Sequence, residues 1–571
     1  MKKLKNCIIS ILYIFLSTCI FNVSYSKSLD KLYNSDKFSK YFSAVLSATN
    51  NDYENSYKYL KGLKGMEGEH VNYAEIYHYT LVNLERFEEA YSYSKQLEKK
   101  GIENFESNLI IGVYYLKNKK FEKAQKYFQK LKATNQNDTL KGLLANSLSN
   151  WISYIDINEQ EAIRLNDKIA ERFEPIKRIQ ESFLYCRYDS KKTSQKYSEL
   201  TSDTKNDYFR YNFFHSYYLY QYGKREEAIK IINSSLKLNP RNLILNQLRD
   251  DIEFKNKKKF NNDFDCKSIS HVSAELFYIT ANALSSRSAH AMSNFYLNIA
   301  KYLNKDFISF QTLYAENTYN LGKPLKAKKV YESFHSKASI YKWYANKKIV
   351  NILFDLEEKN QATSFLSNTY NDIGSPNVYQ IYDYAEFLKN NEEFLKSISY
   401  YTKALNLIDR EHHLYSKLKE GRGVAYERTN DWNKAEKDLL NSLEVTPNQA
   451  YVMNYLAYTW IEKGVNIEQS FKMLKQANEI KKNDGYIIDS LGWAFFKLKK
   501  YDEARKYLEL AVRIMPGDPI VNDHYADSLW MTKKEIQARY IWQYVLNLEK
   551  TEKDIKESIK KKLIFGLKKK T

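Results

Sequence analysis

Glycine and proline are scarce in this chain: 16 Gly and 7 Pro in 571 residues, about 4% against a usual share of about 12%. β-hairpins, tight βα loops and barrel corners consume both residues, so an all-β or doubly wound α/β fold is not expected at this length. Cysteine is scarcer still. Of four, Cys7 and Cys19 fall near the N-terminus, leaving Cys186 and Cys266 far apart in the sequence. No Cys-x-x-Cys exists for zinc or redox work. An oxidising compartment would permit a bridge, but the spacing does not bring the two sulfurs together, and two separate buried thiols are the expectation. Long apolar runs are also missing. The longest, Cys7–Phe21, falls short of the roughly 20 residues that span a bilayer.

What is present points to a folded helical protein. Apolar residues make up 43%, with 50 Tyr and 29 Phe, ample for a core and too many for disorder. Lys and Arg number 89 against 69 Asp and Glu, a net +20. That charge points only weakly to a polyanionic partner, and no nucleic acid is expected, because the N-terminus reads as an export signal. Lys2, Lys3 and Lys5 precede the apolar run, and Ser24 and Ser26 suit a cut before Lys27, giving a signal peptide over 1–26. The alternative is a lipoprotein: Leu16-Ser17-Thr18-Cys19 is similar to a lipobox, with Cys19 as the lipidated residue. Thr18 departs from the usual Gly or Ala. Either way the mature chain is expected in the periplasm or on the outer membrane.

Internal repetition dominates the rest. In Gly485–Asp518, Leu491-Gly492 is followed by Phe495, Ala504, Leu508, Ala511 and Pro516. Small residues mark where two helices touch, and Pro stands just past the second. A shift of 34 lands on Ala526, Leu529, Ala538 and Trp542, and a shift back of 34 or 35 on Ala457, Trp460, Ser470, Leu474 and Ala477. Near the start, Ser56, Ala90 and Ala124 keep the same 34-residue spacing. The pattern implies about 12–15 helix-turn-helix units between residues 37 and 552 and leaves no room for a separate catalytic domain. Two gaps, 139–208 and 243–273, carry weak versions of the repeat. The stretch Phe254–Asp265 loses helical periodicity. The expected organisation is therefore an N-terminal array over 27–253, a loop over 254–273, a C-terminal array over 274–552 and a basic capping helix over 553–571.

These units resemble tetratricopeptide repeats. The C-terminal third is similar to a group of exported bacterial tetratricopeptide proteins, known mainly from alphaproteobacteria. The strings that carry the resemblance are Gly423-Val424-Ala425-Tyr426-Glu427-Arg428, Asn454-Tyr455-Leu456, Asp484-Gly485-Tyr486-Ile487-Ile488-Asp489-Ser490-Leu491-Gly492-Trp493 and Asp518-Pro519-Ile520-Val521-Asn522-Asp523-His524. Ala457 and Ala526 stand where the group usually has Gly. The resemblance implies an all-α, right-handed superhelical solenoid that acts as a scaffold or adaptor. Related exported repeat proteins include outer-membrane lipoproteins that bring substrates to envelope proteases. A protein or peptide partner, such as an envelope protease or an assembly complex, is thus expected, with no cofactor and no metal.

No catalytic signature competes with that reading. The chain has no His-Glu-x-x-His, Gly-x-Ser-x-Gly, Walker loop or Gly-x-Gly-x-x-Gly. His412-His413 lacks a third ligand and reads as loop. The resemblance also implies that the first helix of each hairpin lines a concave groove. Numbering the last repeats from Ala450, Gly485 and Pro519 turns inward Tyr451, Asn454 and Tyr458, then Tyr486, Asp489, Trp493 and Phe496, then Asp523, Asp527 and Trp530. Aromatics supply apolar contact while Asn and Asp can hydrogen-bond a peptide backbone, a mixture suited to a peptide segment; a helical aromatic stripe is more often core, and that alternative stays open for several of these, Trp493 above all. The polarity of Asn454, Asp489 and Asp523 argues against their burial. Two alternatives stay open: a helical glycan-binding protein using the same aromatics, and membrane contact through the basic C-terminal tail.

Overall fold

The computed structural model describes residues 35–567 except 64, 69, 71, 135–138, 204–206, 254–259, 261 and 335–338. The signal segment 1–26, Cys19, most of the lysine-rich stretch after Phe254 and Lys568–Lys570 lie outside the described residues. Within them are 30 α-helices, two short 3-10 turns and one isolated bridge, Asn262–Phe307, with no strand. The all-α solenoid read from the repeat is the architecture observed. Both gaps are helical as well: 139–208 holds Thr139–Ser153, Glu159–Asp167, Glu174–Arg187 and Thr193–Thr201, and 243–273 opens with Leu243–Glu253.

Each hairpin closes through a sharp turn, and the shortage of glycine shows there. Gly223 and Gly322 adopt positive φ at two of the turns, but Glu85, Lys119, Asn430, Lys499 and Lys533 do so at others, with φ of 55–61°. A side chain in the left-handed region costs about 1–2 kcal/mol, a strain the packing of each hairpin must offset. The packing depends on small residues. Ala90, Ala124, Ala435, Ala504, Ala511 and Ala538 are all fully buried. Gly492 makes the point most sharply: a Cβ there would sit 2.7 Å from Leu508 Cγ.

The chain forms two compact units, Met1–Ala362 and Thr363–Thr571. The segment 254–273 lies inside the first. That unit folds back on itself. Its hairpin 269–303 packs against Tyr73–Asn83, Phe105–Lys117 and Thr139–Ser153, the first two of which open their hairpins. Tyr79 stacks on Phe295 at 4.3 Å and Phe87 on Tyr302 at 4.1 Å. Asn298 donates to Asn83 (3.3 Å), Lys301 pairs with Glu85 (2.7 Å) and Lys117 donates to the Leu303 carbonyl (3.2 Å). A buried ion pair adds to this closure: Arg210 grips the fully buried Glu275 through two bonds of 2.7 and 2.9 Å.

Cys186 and Cys266 are joined in a disulfide, which corrects the expectation of two free thiols. The sequence could not show that helix Glu174–Arg187 ends beside the residues leading into hairpin 269–303. Arg187 also donates to the Lys267 carbonyl (2.7 Å), and Lys267 pairs with Asp189 (2.6 Å). The bridge closes a loop with a sequence separation of 80, for which the chain-entropy account gives about 4.5 kcal/mol. Replacing both cysteines, Cys186→Ser with Cys266→Ser, should lower the stability of the first unit by about 4 kcal/mol in urea titrations. Wild-type protein treated with a thiol reductant should match the variant, and an unchanged midpoint in both would contradict the bridge.

Candidate functional site

In the second unit the first helices of successive hairpins are Val378–Asn390, Tyr415–Arg428, Ala450–Lys463, Gly485–Lys497 and Pro519–Met531. The repeat places Glu420, Asn454, Asp489 and Asp523 at one register position, 34 or 35 residues apart. This is a polar column running along the first helices. The sequence reading had three of its members and missed Glu420, although the same spacing reaches it.

The column is open at one end and closed at the other. At the open end Tyr451 is 53% exposed and Tyr486 57%, one repeat apart. The Tyr451 hydroxyl donates to Asp484 (3.0 Å), whose other oxygen caps helix Gly485–Lys497 through the Tyr486 and Ile487 amides. Asn454 is half-buried, and its Oδ1 is shielded from solvent without a hydrogen-bond partner. An amide oxygen in that state favours an incoming N–H. Tyr458 is half-buried, and burial pushes its phenol well above the ordinary range. Burial also raises the Glu420 carboxyl; Lys389 opposes this and Glu386 adds to it. Glu427 accepts from the Tyr455 hydroxyl at 2.7 Å.

At the closed end the predicted groove residues are partnered within the chain. Asp489 is buried, 5% exposed, so the expectation that polarity keeps it at the surface fails. Its burial is tolerable because His524 Nδ1 donates to it at 3.0 and 3.1 Å. Trp493 is also buried. It stacks between Phe496 (4.7 Å) and His524 (3.9 Å) and donates Nε1 to Glu462. Asp523 and Asp527 both accept from Lys562 of the terminal helix Lys553–Phe565, every N–O distance being 2.8 Å. Trp530 lies half-buried against Trp542, with ring centroids 5.4 Å apart. The sequence placed these residues on the first helices and at repeating register positions. It did not show that His524 and Lys562 would take up three of the acids.

His524 is the titrating member of this end. Burial alone would lower its pKa, but the Asp489 carboxylate, with Asp523 and Asp527 behind it, raises it overall. Asp527 is raised to about 6, by burial first and by Asp523 second, with Lys562 acting against both. Among the described residues no group of three or more His, Cys, Asp or Glu is placed to hold a metal ion.

Comparison with known proteins agrees with the geometry. Residues 340–551 and 105–138 match tetratricopeptide repeat family models. A TPR repeat-containing protein of Pseudomonas aeruginosa is 28% identical over 143 residues, which are 24% of this chain and 22% of that protein. The chain therefore spans about a fifth of the length of this curated relative. Among solved structures, a thermophilic TPR protein of Thermus thermophilus is 14% identical with a TM-score of 0.29, covering 33% of this chain and 99% of its own. YrrB, described as a TPR protein with an unusual peptide-binding site, is 15% identical with a TM-score of 0.26, covering 32% and 91%. The Cut9–Hcn1 hetero-tetramer of APC/C is 13% identical with a TM-score of 0.38, covering 92% and 96%. Residues 105–138 and 340–551 of this chain thus resemble tetratricopeptide repeats, and such repeats indicate a protein–protein interaction scaffold.

The His524–Asp489 pair gives the closed end a pH signature. A histidine whose folded pKa is raised contributes its full stability below the unfolded value of about 6.5 and loses it as pH rises through the folded value. Thermal melting of the second unit should therefore decline from about pH 6.5 upward, and Asp527, raised to about 6, adds a decline of the same sign on the acid side of that window. Asp489→Asn should flatten that decline and cost about 1–3 kcal/mol at pH 6. An unchanged slope in the variant would remove the pair from the account.

Proposed function

We propose that this chain, which carries tetratricopeptide repeats along 105–138 and 340–551, is a non-catalytic scaffold of the bacterial cell envelope. It holds a peptide or protein segment along the first helices of its second unit. The observation that carries the reading is the contrast between two inner faces. In the first unit the chain's own hairpin 269–303 lies on the first helices. In the second, Tyr451 and Tyr486 are exposed at one register position of successive first helices, and the Asn454 oxygen, three residues on from Tyr451, has no hydrogen-bond partner. Two exposed tyrosines lose little rotamer freedom on docking, and the Asn454 amide oxygen selects N–H groups.

Glu420, Glu427 and Asp484 stand near the open end, with Lys389, Arg428 and Lys481 close to them. The free Asn454 oxygen makes amide-rich or basic segments, which carry N–H donors, the preferred ligands. Export is supported by the Lys2-Lys3-Lys5 region with its apolar run and by the Cys186–Cys266 bridge, which suits an oxidising compartment. Release after Ser26 and lipid attachment at Cys19 remain alternative ends of the mature chain, distinguished by the mass of the exported protein. An envelope protease or an assembly complex is the kind of partner that fits. The glycan alternative loses its best platform, because Trp493 is buried between Phe496 and His524.

Replacing Asp489 or Trp493 removes core packing together with any surface they offer, so exposed positions give the cleaner test. The double change Tyr451→Ala with Tyr486→Ala should leave thermal stability within about 0.5 kcal/mol per site. It should weaken capture of envelope proteins from an oxidised extract at least tenfold, about 1.4 kcal/mol. Undiminished capture by the stable variant would refute the groove assignment.

A further inference from the structure

The terminal helix Lys553–Phe565 does more than cover the last hairpin. Lys562 is 15% exposed and sits between Asp523 (16%) and Asp527 (6%), each oxygen 2.8 Å from its ammonium. Asp527 also accepts from Trp542 Nε1 at 3.0 Å. The ammonium lies 5.9 Å from the centroid of that fully buried indole. Just past the helix Gly566 lies on Trp530, where a Cβ would come within 2.0 Å of the ring. Arg539 stacks over the same ring at 5.2 Å and donates to the Leu563 carbonyl. Ile559, Lys562 and Leu563 stand at i, i+3 and i+4, one face of a helix, and that face reads a carboxylate pair beside apolar ground.

A permanent cap has no need of this arrangement. A buried and a partly buried carboxylate with a lysine add little stability over apolar residues of the same volume, and what such an ion pair can supply instead is selectivity. Apart from these contacts the resident helix buries few side chains. Ile559 is its one fully buried residue, while Ile564 and Phe565 are 69% and 68% exposed and Lys553, Lys560 and Lys561 face solvent. Asp523 and Asp527 belong to the helix face that carries the groove in the preceding repeats.

We propose that Asp523, Asp527 and Trp542 form a lysine-accepting clamp at the end of the groove. Helix 553–565 occupies it as a resident pseudo-ligand, which a partner's amphipathic helix carrying Ile-x-x-Lys-Leu or its like displaces. The proposal rests on the scaffold reading but concerns a different surface from the Tyr451–Tyr486 face, so each can fail alone. Because the resident helix is tethered, the competing helix must overcome an effective concentration in the millimolar range.

The test uses the full chain and, as probe, a fluorescein-labelled synthetic peptide of residues 553–567, read by anisotropy. Lys562→Glu sets a carboxylate against two others and expels the resident helix. That chain should bind the peptide at least tenfold tighter than wild type, and adding Asp523→Asn with Asp527→Asn should abolish the gain. No gain in a Lys562→Glu chain with native helicity overturns the proposal. So does a gain for phosphatidylglycerol vesicles without one for the peptide, which would make the helix a lipid-directed element. If the variant does not fold, hydrogen exchange on wild type decides: millimolar peptide should speed exchange of the 553–565 amides, and unchanged exchange overturns the clamp.

Discussion

A helical hairpin of this kind cannot bury its own apolar face, and everything else in the structure follows from where that face finds cover. Small residues recurring at the hairpin crossings let neighbours approach closely: Ala90 and Ala124 near one end, Ala504, Ala511 and Ala538 near the other, all fully buried. At Gly492 not even a methyl group would fit without displacing Leu508. A core built this way runs along the array and leaves two problems open, the inner face and the ends. The chain solves the inner face differently in its two units.

In the first unit the solution is internal. Hairpin 269–303 lies on three earlier helices, held by ring stacking, an asparagine pair, Lys301 with Glu85, the Arg210–Glu275 ion pair and a disulfide. Much of that face is thus covered by the chain itself. In the second unit the column Glu420, Asn454, Asp489, Asp523 is closed from its C-terminal end by His524 and Lys562 and left open around Tyr451, Asn454 and Tyr486. The polar groups are alike along the column, and what separates them is whether a later element of the chain reaches back to pair with them.

That difference marks the limit of what the sequence shows. Helices, hairpins and the register of the column are local, period-34 features, so the sequence reading located Asn454, Asp489 and Asp523 without a structure. The partners of Asp489 and Asp523 are 35 and 39 residues further along, and the filling of the first unit joins residues more than 180 apart. No periodic signal carries the longer of these contacts. One clue was present: the run Leu109-Ile110-Ile111-Gly112-Val113 is apolar around the whole helix, the mark of a helix covered on every side. The disulfide had no such clue, because the distance between Cys186 and Cys266 depends on that same closure.

The central claim is that one inner face is filled from within and the other receives a partner. Site-specific photo-crosslinking in intact cells tests it directly, with a benzophenone side chain at Tyr79 in one protein and at Tyr486 in another. The account predicts an internal crosslink from position 79 into residues 290–303 and an adduct with a separate protein from position 486. A foreign adduct at position 79 with none at position 486 would contradict it.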